Sequence, residues 1–247
     1  MEIVASPSPN FDERKFPVDM LVLHYTGMET GQAALDRMRD PAAKVSAHYM
    51  IWEDGQIDQL VAEDKRAWHA GVSSWQGDED LNSRSIGIEI VNGGHDVPLP
   101  DGSLPPYPAA QIGSVIGLCR AILSRHGIPQ SRIVAHSDIA PARKIDPGEH
   151  FPWAHLAEAG IGLFPGTGPA VEADLLLPGD TGPPVRTLQE SLAGIGYGLV
   201  VTGAFDEATT QVVSAFQRRF LTSHLGRHGD PETQALVGRV LAAVRAV

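Results

Sequence analysis

Cysteine and basic charge are both scarce in this chain of 247 residues. Its single cysteine, Cys119, excludes a disulfide within the chain, and the apolar residues beside it indicate a small buried side chain and not a nucleophile. The 19 Lys and Arg are outnumbered by 30 Asp and Glu, which gives a net charge of -11. Binding to the phosphates of nucleic acids needs clustered basic residues, so we expect no nucleic acid partner.

Long apolar runs are also absent, and so is the pattern of a secretory signal. No segment approaches the roughly 20 apolar residues of a membrane-spanning helix, so we expect no membrane span. The first residues, MEIVASPSPN, contain neither a basic stretch nor an apolar run. We therefore expect a cytoplasmic protein, with a periplasmic or envelope-associated one as the alternative if the natural N-terminus is longer. No pattern indicates an oligomer, and we expect a monomer.

Hydrophobic residues make up 43% of the chain. Over residues 20–155 their spacing is in turn that of strands and that of helices. Short apolar runs at 20–24 and 132–136 predict buried strands, and each run ends in a histidine, His24 or His136. A polar residue at the end of a buried strand lies at the edge of the sheet. Strands that alternate with helices predict an α/β fold with a mixed central sheet flanked by helices.

Further elements are predicted from alternation, turn residues and caps. The isoleucines of residues 85–91 alternate, which predicts a strand with Glu89 on the opposite face. Asp54 and Gly55, between two apolar runs, predict a tight hairpin in which this pair takes up the positive φ angles. A loop rich in Gly, Pro and Asp over 92–108 is typical of the border of a binding cleft. Helices are predicted from a cap at Thr30 to Arg39, and over 109–126.

A second, smaller domain follows a stretch dense in glycine and proline. We predict an α/β domain over residues 1–162, a linker over 163–173 and a helical domain over 174–247, with an ordered piece around residues 175–177. In the last domain, apolar residues recur at helical spacing in three groups. This pattern predicts three short helices around one core.

Three residues have the donor atoms of a catalytic zinc site. They are His24 and His136 at strand ends and Asp146 in the loop over 143–148. Three protein ligands of this kind leave the fourth tetrahedral position for water or a substrate carbonyl. The residues are far apart in sequence, so no local motif establishes the site, and an ordinary hydrogen-bonded residue is the competing interpretation of each histidine.

Six short segments surround these residues: LVLHYTG (21–27), VSAHY (45–49), AWHAG (67–71), SIGIEIVN (85–92), IVAHSD (133–138) and RKIDPG (143–148). In this order they resemble the type 2 N-acetylmuramoyl-L-alanine amidase family, which includes amidase-type phage lysozymes and peptidoglycan-recognition proteins. The resemblance covers about residues 20–155. It implies a hydrolase that cuts the bond between the muramoyl lactyl group and L-alanine in peptidoglycan or muropeptides.

The resemblance also implies roles for single residues. His24, His136 and Asp146 would bind zinc. Glu89 would handle the proton of the attacking water, and Lys144 would steady the oxyanion. The competing interpretation of Glu89 is a solvated strand residue, and that of Lys144 is a surface charge.

Four other residues are candidates for contacts in the cleft. His48 and His69 lie inside the matching segments but are not zinc ligands of the family, so they would shape the cleft, orient a ligand or touch the muropeptide. Arg84 and Arg143 would pair with a carboxylate of the substrate. An exposed arginine is usually solvated, which is the competing interpretation of both.

The C-terminal segments VRTLQESL (185–192), TGAFD (202–206) and VSAFQ (213–217) resemble the three-helix peptidoglycan-binding domain of wall hydrolases. The competing interpretation is a helical packing module that binds nothing. We expect few core contacts across the linker, so truncation near Gly168 should leave hydrolysis of soluble fragments close to intact.

Two other functions compete with the amidase. One is a catalytically silent peptidoglycan-recognition protein, which the presence of all three ligands with Glu89 and Lys144 disfavours. The other is a zinc peptidase that acts on the stem peptide. All three functions have peptidoglycan or a muropeptide as the partner.

Overall fold

Eight β-strands and eight α-helices occur in the residues that the computed structural model describes, 2–168 and 172–246. The strands are β1 (Val4–Ala5), β2 (Phe11–Glu13), β3 (Met20–Tyr25), β4 (Tyr49–Ile51), β5 (Ile57–Gln59), β6 (Lys65–Ala67), β7 (Ser85–Ile90) and β8 (Ile133–Ala135). The helices are α1 (Gly31–Arg39), α2 (Leu81–Arg84), α3 (Ala109–Arg125), α4 (His136–Ile139), α5 (Trp153–Glu158), α6 (Pro183–Ile195), α7 (Glu207–Phe220) and α8 (Pro231–Arg245). None of these described helices is long and apolar enough to cross a membrane.

Six of the strands form one mixed sheet in the order β1-β5-β4-β7-β3-β8. Strands β4 and β5 are antiparallel, whereas β3 runs parallel to both of its neighbours, β7 and β8. Strands β2 and β6 pair separately as an antiparallel ladder. The mixed sheet confirms the fold class predicted from the alternating patterns.

The two faces of the sheet pack against different parts of the chain. On one face, Leu21 of β3 shares a buried cluster with Leu118 of α3. On the other face, Val22 shares a buried cluster with Phe216 of α7. Because side chains alternate along a strand, His24 lies on the same face as Val22. The sheet face that carries this histidine is therefore also the face that the C-terminal helices cover.

Residues 172–246 contain the helices α6, α7 and α8 and are called the C-terminal module below. The side chains of Asp206 and Asp230 cap α7 and α8 by accepting hydrogen bonds from backbone N–H groups of the first turn. The apolar residues predicted to form the core are buried, apart from the half-buried Leu241. Three helices around one core are therefore confirmed, while residues 169–171 of the predicted linker lie outside the described residues.

Two local predictions differ in their outcome. The ordered piece within the Gly- and Pro-rich stretch is confirmed, because Leu176 exchanges two backbone hydrogen bonds with Gly229, at 2.9 and 3.1 Å. The hairpin between β4 and β5 is present, but its loop has three residues, 53–55, and of these Gly55 alone has a positive φ, 91°. The prediction that Asp54 shares this conformation is wrong, since a three-residue loop needs it only at its last position.

The C-terminal module packs directly on the α/β part. Trp75 meets Tyr197 edge to face, with 5.0 Å between ring centroids, and Gln76 N donates a hydrogen bond to Gly196 O at 2.8 Å. Trp75 and Tyr197 belong to one buried cluster that includes side chains of the sheet. The expectation of few core contacts between the two parts is therefore wrong. The two parts are in close contact because one face of the sheet carries apolar residues that the module removes from water.

Truncation after Gly168 should consequently destabilise the remaining α/β part. The cut exposes Val22, Val134 and Trp75, which are at most 2% exposed in the whole chain. Burial of one large apolar side chain contributes about 1.5–3 kcal/mol. We therefore expect the truncated protein to have a clearly lower midpoint of thermal unfolding and to bind a hydrophobic dye. The control is Val200→Ser in the full chain, because Val200 is 77% exposed and its loss should leave the midpoint in place. An unchanged midpoint for the truncated protein would contradict the prediction.

Candidate active site

His24, His136 and Asp146 converge at the carboxyl edge of the sheet. Because β3 and β8 are adjacent and parallel, the end of β3 and the residue after β8 emerge at the same edge. His24 Nδ1 lies 2.9 Å from His136 Nδ1 and 3.1 Å from Asp146 Oδ2, and 3.0 Å separates His136 Nδ1 from Asp146 Oδ2. All three residues are buried, and their ligand atoms lie within 4.8 Å of one another. The structure therefore brings together the side chains predicted as metal ligands. His136 is the first residue of α4 and not the last of a strand.

Hydrogen bonds on the far side of His24 determine which ring nitrogen faces the centre. Ser85 Oγ donates to Leu81 O at 2.6 Å, so it accepts from His69 Nε2, 3.2 Å away. His69 Nδ1 therefore has no proton and accepts from His24 Nε2 at 3.0 Å. His24 Nδ1 is left with its lone pair turned toward the centre.

The second histidine and the aspartate complete the donor set. His136 Nε2 donates to the backbone carbonyl of Ala70 at 3.2 Å, which leaves the lone pair of Nδ1 toward the centre. Burial and the neighbouring His136 lower the pKa of His24 to about 4. Burial acts to raise the pKa of Asp146, but contacts with His136 and His24 outweigh it and keep that pKa well below its usual range. Two imidazoles and one carboxylate with converging lone pairs fit a divalent cation.

His69 and His48, which were predicted to lie in the cleft, follow one behind the other beside this centre. The ring of His69 lies against Gly87 of β7, where a Cβ atom would come within 2.4 Å of His69 Cγ. On the other side, Gly87 N donates to His48 Nδ1 at 3.0 Å, and His48 Nε2 lies 2.7 Å from Arg14 Nη2 and 3.0 Å from Lys65 O. His48 is fully buried. Its position differs from the expectation of a substrate contact, because both ring nitrogens are engaged by groups of the protein interior.

Arg84 lies far from the converging donors. It precedes β7, at the edge of the sheet opposite to the one where His24 emerges. Its guanidinium group forms ion pairs with Asp19 at 2.9 Å and Asp78 at 3.2 Å. This position also differs from the expectation of a substrate contact, because the arginine belongs to a surface ion-pair network.

Glu89 stands directly opposite His24 in the register of β7 and β3. Burial and the charge of Asp146 raise the pKa of Glu89 well above its usual range, while Lys144 acts in the opposite direction. Its Oε2 atom has no hydrogen-bond partner among the described residues. A carboxyl group with a raised pKa and a free oxygen is suited to accepting a proton and returning it.

A cavity of about 570 Å³ opens above these groups. Its wall includes three basic residues, Arg37, Arg143 and Lys144, and three acidic ones, Glu89, Asp96 and Asp146. Asp96 also lines it, which confirms that the loop over 92–108 borders a cleft.

Sequence reasoning missed three of the residues that line the cavity: Tyr25, Arg37 and Asp96. Tyr25 follows His24 within a matching segment, so a signal for it was present. Arg37 and Asp96 gave none, because spacing along the chain does not tell which charges of a helix or loop face a cleft.

Comparisons with known proteins agree with this geometry. Residues 14–149 match the family model described as N-acetylmuramoyl-L-alanine amidase, and residues 181–221 match one described as a putative peptidoglycan binding domain. The chain is 36% identical over 234 residues to N-acetylmuramoyl-L-alanine amidase AmiD of Escherichia coli, covering 91% of this chain and 82% of AmiD. It is 39% identical over 166 residues to 1,6-anhydro-N-acetylmuramyl-L-alanine amidase AmpD of Haemophilus influenzae, covering 59% of this chain and 85% of AmpD.

Two solved structures share the whole architecture. AmiD from E. coli, in complex with the substrate anhydro-N-acetylmuramic acid-L-Ala-D-γ-Glu-L-Lys, superposes with a TM-score of 0.77 at 35% identity, covering 92% of this chain and 89% of that one. AmpDH3 from Pseudomonas aeruginosa also has a TM-score of 0.77, at 34% identity, with 92% of each chain covered.

A mixed sheet whose carboxyl edge presents a buried His-His-Asp donor set beside a carboxyl group has the arrangement of a metal-dependent hydrolase. The chain belongs to the N-acetylmuramoyl-L-alanine amidase family, to which more than half of its residues match. It is an amidase, as the six segments indicated.

Replacement of Glu89 by Gln should stabilise the metal-free protein, and more strongly as the pH rises. Because the folded-state pKa of Glu89 is raised, ionising this group costs stability above its unfolded pKa of about 4.3, and Glu89→Gln removes that cost. After treatment with a chelator, the unfolding midpoints of the wild-type protein and of Glu89→Gln should coincide near pH 4 and diverge toward about pH 8. Glu53→Gln, at an exposed loop position, should give no such trend. A difference that does not vary with pH would contradict the prediction.

Proposed function

We propose that this amidase uses zinc held by His24, His136 and Asp146 to hydrolyse the amide between the muramoyl lactyl group and L-alanine. The observation that carries the proposal is the buried triangle of donor atoms, in which His136 and Asp146 line the cavity, with Glu89 on the strand next to His24. Two imidazoles and one carboxylate with an open fourth position form a donor set that suits zinc.

Each group of the chain has a separate task in this reaction. A zinc ion held by His24, His136 and Asp146 would supply Lewis acidity to the amide carbonyl and to the attacking water. Glu89 accepts the proton of that water and returns it to the leaving amine of L-alanine. Lys144, in the cavity wall, stabilises the negative charge that develops on the carbonyl oxygen. His69 holds His24 in the tautomer that turns Nδ1 inward.

Three basic side chains in the cavity wall support a substrate with an acidic stem peptide. The ligand of the AmiD complex contains a γ-linked glutamate, which keeps a free carboxylate. In this chain Arg143 is held at the cavity by donating to the carbonyls of Ala70 and Val72. Arg37 and Lys144 add further positive charge. These groups attract the carboxylates of a muropeptide.

We also propose that the C-terminal module binds peptidoglycan. Support comes from the match of residues 181–221 to the peptidoglycan-binding family model. The predicted division into a catalytic domain over 1–162, a linker over 163–173 and a binding domain over 174–247 belongs to this proposal.

Product analysis tests the function directly. The zinc-loaded protein should convert a purified disaccharide muropeptide into free disaccharide and an intact stem peptide, which chromatography with mass detection resolves. A chelator should abolish the reaction and added zinc should restore it. A shortened peptide would indicate a peptidase instead, and no product would indicate a silent recognition protein. In the same assay His24→Ala should lose both zinc and activity, whereas His155→Ala, at an exposed position, should keep both.

Variants at Glu89 separate proton transfer from metal binding. Glu89→Ala should keep stoichiometric zinc and lose turnover by about 10²–10⁴-fold, because positioned general bases contribute on that order. Metal analysis and kcat on a soluble muropeptide give the two measurements, with Glu53→Ala as the control. An unchanged kcat in Glu89→Ala would remove this residue from the mechanism.

A further inference from the structure

Asp138 is a fully buried carboxylate that accepts hydrogen bonds from both parts of the chain. Its Oδ1 atom accepts from the hydroxyl of Tyr197 at 2.8 Å. Its Oδ2 atom accepts from Ala135 N at 2.9 Å and forms an ion pair with the guanidinium group of Arg219. Tyr197 and Arg219 belong to the C-terminal module, so two of the three groups bound to this carboxylate come from outside the α/β part.

The helix that contains Asp138 also contains one metal ligand and binds the backbone of another. It is α4, whose first residue is His136. The next residue, Ser137, donates its backbone N–H to Asp146 O at 3.0 Å. A displacement of α4 would therefore move two of the three donor atoms of the metal site.

Arg219 contacts both the helix and the strand before it. Besides its ion pair with Asp138, it donates to Ile133 O at the start of β8, at 2.9 Å. Its guanidinium carbon lies 4.2 Å from the ring centroid of Trp153 and 4.8 Å from that of Phe220, and the side chain is 4% exposed. A buried ion pair of this kind resists displacement, because a shift that breaks it leaves a buried charge without compensation.

We propose that Arg219 and Tyr197 of the C-terminal module are positioning residues of the active site, which act through Asp138 and α4 on His136 and Asp146. The module is then a structural part of the metal centre as well as an attachment domain. The inference rests on the proposed zinc site. It goes beyond a stabilising contact between domains, because it predicts an effect on the metal that other buried bonds of the module do not have.

Tyr197→Phe is the sharpest variant for a test in the full-length protein. It removes the hydrogen bond to Asp138 and keeps the ring that packs on Trp75 and Phe216. We expect zinc affinity, measured by competition with a chromophoric chelator, to fall by about tenfold, as it does when a group that supports a ligand is lost. The visible absorption of the cobalt-substituted protein should shift, and kcat on a soluble muropeptide should fall with little change in KM.

The matched control is Gln189→Met, which removes buried hydrogen bonds to Thr202 and Thr209 inside the module and none to Asp138. It should lower the unfolding midpoint and leave zinc affinity and the cobalt spectrum in place. Arg219→Met should have the effects of Tyr197→Phe in stronger form, and if it does not fold, the tyrosine variant alone decides.

The outcomes separate this inference from the proposed function. A wild-type protein that binds no stoichiometric metal would overturn the zinc site itself. A wild-type protein that binds zinc, together with a Tyr197→Phe variant of unchanged affinity, spectrum and kcat, would overturn the positioning role alone. Equal losses of zinc affinity in Tyr197→Phe and Gln189→Met would also overturn it, since the effect would then follow general stability.

Discussion

Parallel pairing of β3 with β7 on one side and β8 on the other is the constraint on which the active site depends. The register sets His24 opposite Glu89 and Leu23 opposite Ala135. His136, the residue after Ala135, therefore lies at the same level along the strands as His24. A slip of one residue would turn the side chain of His24 into the apolar core under α3. The apolar residues on that face therefore fix the position of the polar groups on the other.

Burial then decides the protonation of these polar groups. Desolvation favours the neutral forms of His24 and His69, and the run of hydrogen bonds from His24 through His69 and Ser85 ends on a backbone carbonyl that needs no further partner. The same exclusion of water raises the pKa of Glu89. One physical cause thus gives ligands with free lone pairs and a carboxyl group prepared to take a proton.

Much of the α/β part was predictable because its signals are local. The alternating isoleucines before and after Glu89 and the cap at Thr30 each determine an element within a few residues, and both are confirmed. The ligand set required the family resemblance, since its members lie on different strands and loops. The burial of His48 could not be predicted, because it depends on the approach of Gly87 and of β6 from elsewhere in the chain.

The relation between the two parts was the least predictable feature. The glycines and prolines between them suggest independent units, whereas contacts such as that of Trp75 with Tyr197 depend on which apolar surfaces meet after both parts have folded.

This close packing has a consequence for how the enzyme would work on a wall. A catalytic domain on a flexible tether can search a volume around its point of attachment and reach many bonds from one anchor. With the module packed on the sheet and Gln76 bonded to Gly196, a surface of the module that binds the polymer, as proposed, would keep one direction to the cavity. Each attachment would then present bonds at one distance and one orientation, and the enzyme would have to release and rebind to reach the next one. The spacing of cuts would therefore follow the spacing of attachment points along the polymer.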